Sequence, residues 1–330
     1  MSEPIPARNG VLAALRRPRV RLGLLLLAFA GLAWAFAGQW RELQDATRAS
    51  ARALAPDWSW IALASLIVLA THAMLVQSWR LLLAGWGGHI RYGRAVQIWT
   101  IANLGRWIPG KVWQVGALGM LAEDHGVSPV AAAGAALLGT LLNIGAGFGI
   151  TVLTGANGLE LIRPGLKPIF VGLSALFLAG VVALPWVLPS VLRRIARWRG
   201  VAHADRQLSP AAVWTATAIN GASWVCYGLA FACFSRGVTP AISGDPLAFV
   251  AVYTASYLIG YLVLFMPGGL GFREAALVAF LIGTGAAGKG DATILSVASR
   301  VWITVLEVLP GLIGLLLLPP MQRAALRRAD

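Results

Sequence analysis

Charge is scarce in this chain. Asp, Glu, Lys and Arg make up 12% of its 330 residues, against about 25% in an ordinary soluble domain. That shortage excludes any sizeable soluble body. Cysteine is nearly absent as well. Cys226 and Cys233 are the only two, and on one helix they would stand about 10 Å apart, too far to bridge. The four histidines (His72, His89, His125, His203) are scattered, no metal-ligand spacing exists, and no cofactor is expected. Nucleophile elbows, H-E-x-x-H and Asp-x-Asp sugar-nucleotide motifs are missing too, which argues against a self-contained enzyme. Gly283-Thr284-Gly285-Ala286-Ala287-Gly288-Lys289-Gly290 only mimics a P-loop. The Ser/Thr that would hold Mg²⁺ is Gly290, and no strand precedes it.

What the chain has is long hydrophobic runs. Hydrophobic residues reach 58% and the mean hydropathy is +0.73. Six mainly apolar segments, near 22–38, 58–78, 129–154, 168–189, 210–234 and 292–318, can each span a core about 30 Å thick. Many of the fourteen tryptophans sit near segment ends (Trp40, Trp58, Trp60, Trp79, Trp186, Trp214), as in an interfacial belt. A net charge of +14 raises the question of nucleic acid, but the basic residues occupy short loops between spans. Membrane topology and anionic lipid account for that charge, so nucleic acid is not an expected partner. The start, Arg16-Arg17-Pro18-Arg19-Val20-Arg21 before an apolar run ending Ala35-Phe36-Ala37, resembles a signal peptide. Its long basic region and the membrane character of the remainder favour an uncleaved first span.

Two Pro-Gly breaks interrupt the hydrophobic pattern: Trp107-Ile108-Pro109-Gly110-Lys111 and Phe265-Met266-Pro267-Gly268-Gly269. A backbone broken inside a bilayer survives only where protein or a wet cavity satisfies its polar groups. If the broken segments, 95–121 and 247–286, each return to the side they entered from, about 16 Lys and Arg fall inside, about 7 outside and four at membrane depth. That distribution obeys the positive-inside rule and places both termini in the cytoplasm. Letting either segment cross once would put the 193–206 cluster or the C-terminal arginines outside.

The expected fold is an all-α polytopic membrane protein of six full spans plus two broken, re-entrant helical hairpins arranged as an inverted repeat. Residues 1–21 form a basic cytoplasmic N-terminus, 22–320 one transmembrane domain and 321–330 a cytoplasmic tail. Repeat one covers 58–154 and the inverted repeat two 208–319, offset by about 158 positions. Residues 95–108 and 112–121 are each too short to cross, whereas 247–265 and 269–285 are long enough for either a hairpin or two tilted spans.

Charged residues at depth mark the candidate binding site. Arg106 and Lys111 flank the first break, Arg273 and Glu274 follow the second, and Arg300 and Glu307 share one face of the last span. The expected pairings are Glu307 with Arg273, and Glu274 with Lys111 or Arg106. Three uses compete for such residues: holding a headgroup, fixing helix register, or snorkelling toward the interface. Asn103, Asn143 and Asn220 read as interhelical hydrogen-bond donors and acceptors, and Gly145-Ala146-Gly147-Phe148-Gly149 with Gly134 and Gly139 as close helix packing. Glu123-Asp124-His125 reads as a solvated turn, and Arg193, Arg194, Arg197 and Arg199 as resting on anionic headgroups.

The stretch Asn103-Leu104-Gly105-Arg106-Trp107-Ile108-Pro109-Gly110-Lys111-Val112-Trp113, and later Met266-Pro267-Gly268-Gly269-Leu270-Gly271-Phe272-Arg273-Glu274, resemble the two hallmark motifs of the lysylphosphatidylglycerol synthase transmembrane-domain family. This is the flippase-like part of the multiple peptide resistance factor, and the resemblance covers residues 20 to 320. It implies a bacterial cytoplasmic-membrane protein that moves a lipid between leaflets, an aminoacylated phosphatidylglycerol in the two-part members. Those members carry a soluble aminoacyl-transfer domain after the membrane part, whereas this sequence stops at Asp330, so synthesis of the lipid is not expected of it. Stand-alone relatives also resemble partners of polyprenyl-linked glycan and hopanoid pathways. The implied partners are membrane lipids, phospholipid or polyprenyl-linked, and lipid-synthesis enzymes. A membrane-embedded transferase and a non-transporting scaffold of a lipid-synthesis complex are the two alternatives to a lipid transporter.

Overall fold

Five helices are long and apolar enough to cross a membrane: Trp58–Gly85, Pro129–Gly155, Leu166–Ala183, Pro210–Val238 and Lys289–Leu316. Each corresponds to one of the runs expected from the sequence. The computed structural model describes residues 56–107, 112–162, 164–199, 209–239, 242, 244–263, 269 and 271–317. The expected first span at 22–38, the N-terminus 1–21 and the tail 321–330 lie outside them. Among the described residues there are nine α-helices and no strand. They are α1 (Trp58–Gly85), α2 (Tyr92–Asn103), α3 (Val112–Glu123), α4 (Pro129–Ile162), α5 (Leu166–Arg199), α6 (Pro210–Val238), α7 (Pro246–Leu262), α8 (Phe272–Gly283) and α9 (Lys289–Leu316). A 3₁₀ turn, Leu104–Trp107, continues α2, and α4 departs from helical geometry at Gly155.

Local chemistry sets several of these ends. Asp57 caps α1 by accepting the Ser59 N–H at 2.9 Å, and Asp245 caps α7 by accepting the Leu247 N–H at 3.0 Å, with Pro246 in the first turn. The Ser59 hydroxyl and N–H hold the Asp57 carboxyl below its ordinary pKa. Gly126, at φ 75°, ends the exposed turn Glu123-Asp124-His125, as a solvated turn requires.

Each broken segment carries two separate helices that pack against each other, α2 with α3 and α7 with α8. At 12 residues each, α2, α3 and α8 are about 18 Å long, too short to cross the hydrocarbon. The 17 residues of α7 reach about 26 Å. In the first unit the 3₁₀ turn lies against the start of α3. A Cβ on Gly105 would stand 2.9 Å from the Gln114 nitrogen, and Gln114 Nε2 donates to Asn103 Oδ1 at 3.1 Å. In the second unit Gly269, at φ 70°, is pressed onto the Gly260 backbone, where a Cβ would collide with the Gly260 carbonyl oxygen. A Cβ on Gly260 would in turn stand 2.6 Å from Arg273 Cβ. These two glycines let α7 and α8 close to backbone distance.

The long helices α1, α4, α6 and α9 pack against the two units. α1 and α6 run antiparallel, side by side: the Asp57 N–H donates to Gly237 O at 2.8 Å at one end, and Asn220 Nδ2 donates to Ser78 Oγ at 2.9 Å near the other. Asn143 Nδ2 donates to Asn220 Oδ1 at 2.9 Å and Trp224 Nε1 to Asn143 O at 2.8 Å, so α4 joins the same network. Asn103, Asn143 and Asn220 thus bridge elements, as their position in apolar runs led us to expect. Gly147 of α4 faces Trp224 and Leu258 closely and Gly145 faces Phe177 of α5, whereas Gly134 and Gly139 have room for ordinary contact and nothing stands within 4 Å of a Cβ on Gly149, so the expected close packing is confined to Gly145 and Gly147. The outward surface is apolar, with Leu66, Leu141, Leu153 and Leu176 exposed, as lipid contact demands.

Asn220→Ala should lower stability in detergent by about 1 kcal/mol, since interhelical polar contacts in membranes are worth about 0.6 to 2 kcal/mol. Gly269→Ala meets both a left-handed backbone and the Gly260 carbonyl, and should cost more, about 2 kcal/mol. Thermal unfolding of the solubilised protein ranks the two, and an unchanged midpoint for Gly269→Ala would contradict the close approach described above.

Candidate functional site

Near the middle of α9, two charged side chains face inward and reach in different directions. Glu307 accepts from Arg106 Nη1 at 2.7 Å, tying α9 to the first broken unit. Arg300, two turns earlier, places Nε 3.5 Å from Glu274 Oε1, tying α9 to the second. The helix is about 42 Å long, and Arg300 lies within one turn of its midpoint and Glu307 little more. The charges therefore sit deep in the span, where an isolated one costs about 2.5–3.5 kcal/mol on insertion scales.

Arg273 completes the group. It lies in the first turn of α8, 4% exposed, and donates from Nη2 to the Tyr253 hydroxyl at 2.9 Å. Its guanidinium carbon stands 5.1 Å from the Tyr253 ring centre and 4.7 Å from that of Tyr257, within cation–π range. Arg106 Nη2 donates to the Tyr257 hydroxyl, so Tyr257 touches both arginines. Glu274 is committed elsewhere: its Oε2 accepts the Gly271 N–H at 2.7 Å, and its carbonyl accepts from Ser296 Oγ at 3.1 Å. Among the described residues the site thus holds three guanidinium groups and two carboxylates, both carboxylates ion-paired.

An aromatic wall borders the charges. Tyr227 of α6 stacks at 6.4 Å on Tyr253, Trp224 lies 5.3 Å edge-on to Tyr257, and Phe231 lies 5.0 Å from Tyr253. His72 of α1, almost fully buried, packs 5.6 Å from Trp99 and 6.1 Å from Tyr227. It lies within electrostatic reach of Glu307 and Arg106.

Five residues singled out from the sequence, Arg106, Arg273, Glu274, Arg300 and Glu307, are brought together. Lys111, Pro109, Gly110, Pro267 and Gly268 lie outside the described residues; Gly269 makes the tight approach to α7. The pairing differs from expectation. Glu307 takes Arg106 rather than Arg273, and Glu274 pairs with Arg300 rather than Arg106, while the expected pairing with Lys111 lies outside the described residues. The reason is that α9 packs against both broken units at once, so its own charges reach to each side. The sequence reading missed the tyrosines and His72. Tyr253, Tyr257 and Tyr261 recur every fourth residue along α7, one stripe of a helix, and four of the chain's five tyrosines lie on α6 or α7. His72 falls inside an apolar run, where an ionisable residue is already a functional signal.

Removing one partner of a buried pair leaves a bare charge, at a cost of about 3–5 kcal/mol. Glu307→Gln is expected near the lower end, because Arg106 retains 20% side-chain exposure and the Tyr257 hydroxyl. Arg106→Gln combined with Glu307→Gln should recover part of that loss in a double-mutant cycle read by thermal unfolding. Strict additivity would show that the 2.7 Å contact carries no coupling.

No curated protein matches the chain. The family model described as "Lysylphosphatidylglycerol synthase TM region" matches residues 20–311, which takes in both broken units and every described residue of the charged cluster. Its apolar helices, its buried charges and this match together make the chain a multi-pass membrane protein of the lysylphosphatidylglycerol synthase transmembrane-region family.

Proposed function

We propose that this protein is a flippase-like lipid transporter of the bacterial cytoplasmic membrane, with both termini in the cytoplasm. The observation that carries the reading is the convergence of Arg106, Arg273, Arg300, Glu274 and Glu307, from both broken units, on the middle of α9. Moving a headgroup through hydrocarbon strips its water. Polar and charged groups held at that depth offer replacement contacts, while acyl chains stay in the bilayer. Arg106, Arg273 and Lys111 would contact the headgroup; Glu307 would hold Arg106, and Glu274 would hold Arg300, when it is absent. The lipid is either a phospholipid, plain or aminoacylated, or a polyprenyl-linked one, and lipid-synthesis enzymes are the natural neighbours.

The transport plan we infer is two re-entrant hairpins inserted from opposite faces within six full spans, as an inverted repeat of 58–154 and 208–319. Packing supports it. α1 and α6, the leading helices of the two repeats, are antiparallel, as inversion requires. α9 packs against α2 as α4 packs against α7, and α4 against α3 as α9 against α8. Repeats of this kind, with discontinuous helices near the midplane, recur in transporters.

The test is redistribution of a short-chain fluorescent lipid between leaflets of vesicles reconstituted with the purified protein. Wild type should equilibrate the label at least tenfold faster than protein-free vesicles, and Arg106→Gln and Arg273→Gln should each remove most of that rate. Full rate in both variants would defeat the assignment of the site. A rate equal to protein-free vesicles for every lipid tried would defeat the transport reading.

A further inference from the structure

His72 is the ionisable side chain of the centre that headgroup contact leaves unused. It lies within one residue of the midpoint of α1 and is 7% exposed. An ionisable residue at that depth calls for a named partner. Two contacts bracket it. Trp302 Nε1 of α9 donates to Ser65 Oγ of α1 at 2.9 Å, two turns before His72. A Cβ on Gly311 of α9 would stand 2.7 Å from Thr100 O, and the neighbouring Trp99 ring lies 5.6 Å from the imidazole. Glu307 falls between Trp302 and Gly311 on α9, so the same two anchors hold its carboxylate and the imidazole in one neighbourhood.

The charged and titratable groups around the imidazole are few. α9 brings Glu307, the 3₁₀ turn brings Arg106, and α6 brings Tyr227, its ring 6.1 Å away. Tyr92 of α2 donates its hydroxyl to the Ala73 carbonyl at 2.9 Å, and the spanning part of α4, 129–155, contains no titratable residue. Arg80, two turns further along α1, donates to Ile90 O and Gln77 Oε1. Arginine is already a cation and a phenol already carries its proton at neutral pH. Only the imidazole and the Glu307 carboxylate can gain one. While Arg106 holds Glu307 at 2.7 Å, a proton on His72 would add a second cation to a buried pair whose charges already match. A phosphate that draws Arg106 away removes that match, and a bare buried carboxylate is costly. Another guanidinium can take the place at Glu307, but the phosphate has still added a negative charge to the centre. Imidazole is the side chain that changes charge near neutral pH, so it can supply a cation while the carboxylate stays ionised.

We propose that His72 binds one proton each time a headgroup phosphate draws Arg106 from Glu307, and that this couples lipid movement to a proton gradient. The proton comes from water on the loading side and rests on an imidazole nitrogen. It returns to water on the other side when the phosphate leaves and Arg106 recovers Glu307. This rests on the transporter reading and gives it an energy source. It asks only for the phosphate, which plain and aminoacylated phospholipids share, so it makes no choice between headgroups.

Two measurements on the full-length protein test it. In weakly buffered detergent solution at about pH 7, near the ordinary imidazole range, phosphatidylglycerol is added and proton uptake is followed with an indicator dye. Wild type should take up about one proton per lipid bound, and His72→Gln and Glu307→Gln should take up none. In vesicles holding a pH step, fluorescent phosphatidylglycerol should gather in the leaflet facing the alkaline side. The excess should reach at least about threefold, since a step of about one unit can sustain up to about tenfold. His72→Gln and protein-free vesicles should show no gathering. Absence of proton uptake by the wild type overturns the proposal with no variant needed. Uptake that persists in either variant also overturns it. Wild-type protein that moves lipid but leaves it evenly distributed across the pH step refutes the coupling and leaves the transporter reading standing. Uptake that depends on His72, without movement of lipid, upholds the proton site and refutes the transporter reading alone.

Discussion

Two ion pairs on a single helix hold the centre of this molecule together. Arg300 and Glu307 lie two turns apart on α9, and each reaches a different broken unit. In a low-dielectric setting such contacts offset part of the large cost of taking charge out of water, and they do so only when both partners stay in register. The rest of the core is consistent with that demand. Backbone-distance packing at Gly260 and Gly269 fixes where Arg273 and Glu274 emerge, and Gly105 against Gln114 fixes where Arg106 emerges. Glycine here serves the electrostatics by removing side chains that would hold the paired helices apart.

A second, uncharged network ties the long helices. Asn143, Asn220 and Ser78 link α4, α6 and α1 through neutral hydrogen bonds. Trp302 Nε1 adds a bond from α9 to Ser65 of α1 at 2.9 Å. Neutral amides and hydroxyls suit this position because they bond across helices without the desolvation cost of charge. The molecule thus separates two kinds of polarity: a neutral frame of asparagine, serine and indole, and a charged centre bordered by tyrosines.

Much of the frame was legible beforehand, for physical reasons that also explain what was not. A run of apolar residues long enough to span hydrocarbon leaves few choices of structure, so five spans fell where the sequence put them. Pro-Gly within such a run removes a donor and admits unusual backbone angles, and that marked both breaks. Arg300 and Glu307 could be placed on one face from their spacing alone. Their partners could not, because periodicity fixes a residue's direction from its own helix and says nothing of which neighbour stands opposite. The tyrosines of α7 stayed hidden for a related reason. A four-residue recurrence of large aromatic side chains in an apolar helix looks like ordinary core, and only the arginines set against Tyr253 and Tyr257 distinguish it.

Glu307 has a further property that follows from where it stands. Its carboxylate is in direct contact with Arg106 and within electrostatic reach of Arg273 and Arg300 as well. Trading one guanidinium for another would alter the geometry of the centre while leaving its tally of ions the same. Rearrangement by such exchange avoids the intermediate that a lone buried pair must pass through, in which an anion stands bare in oil.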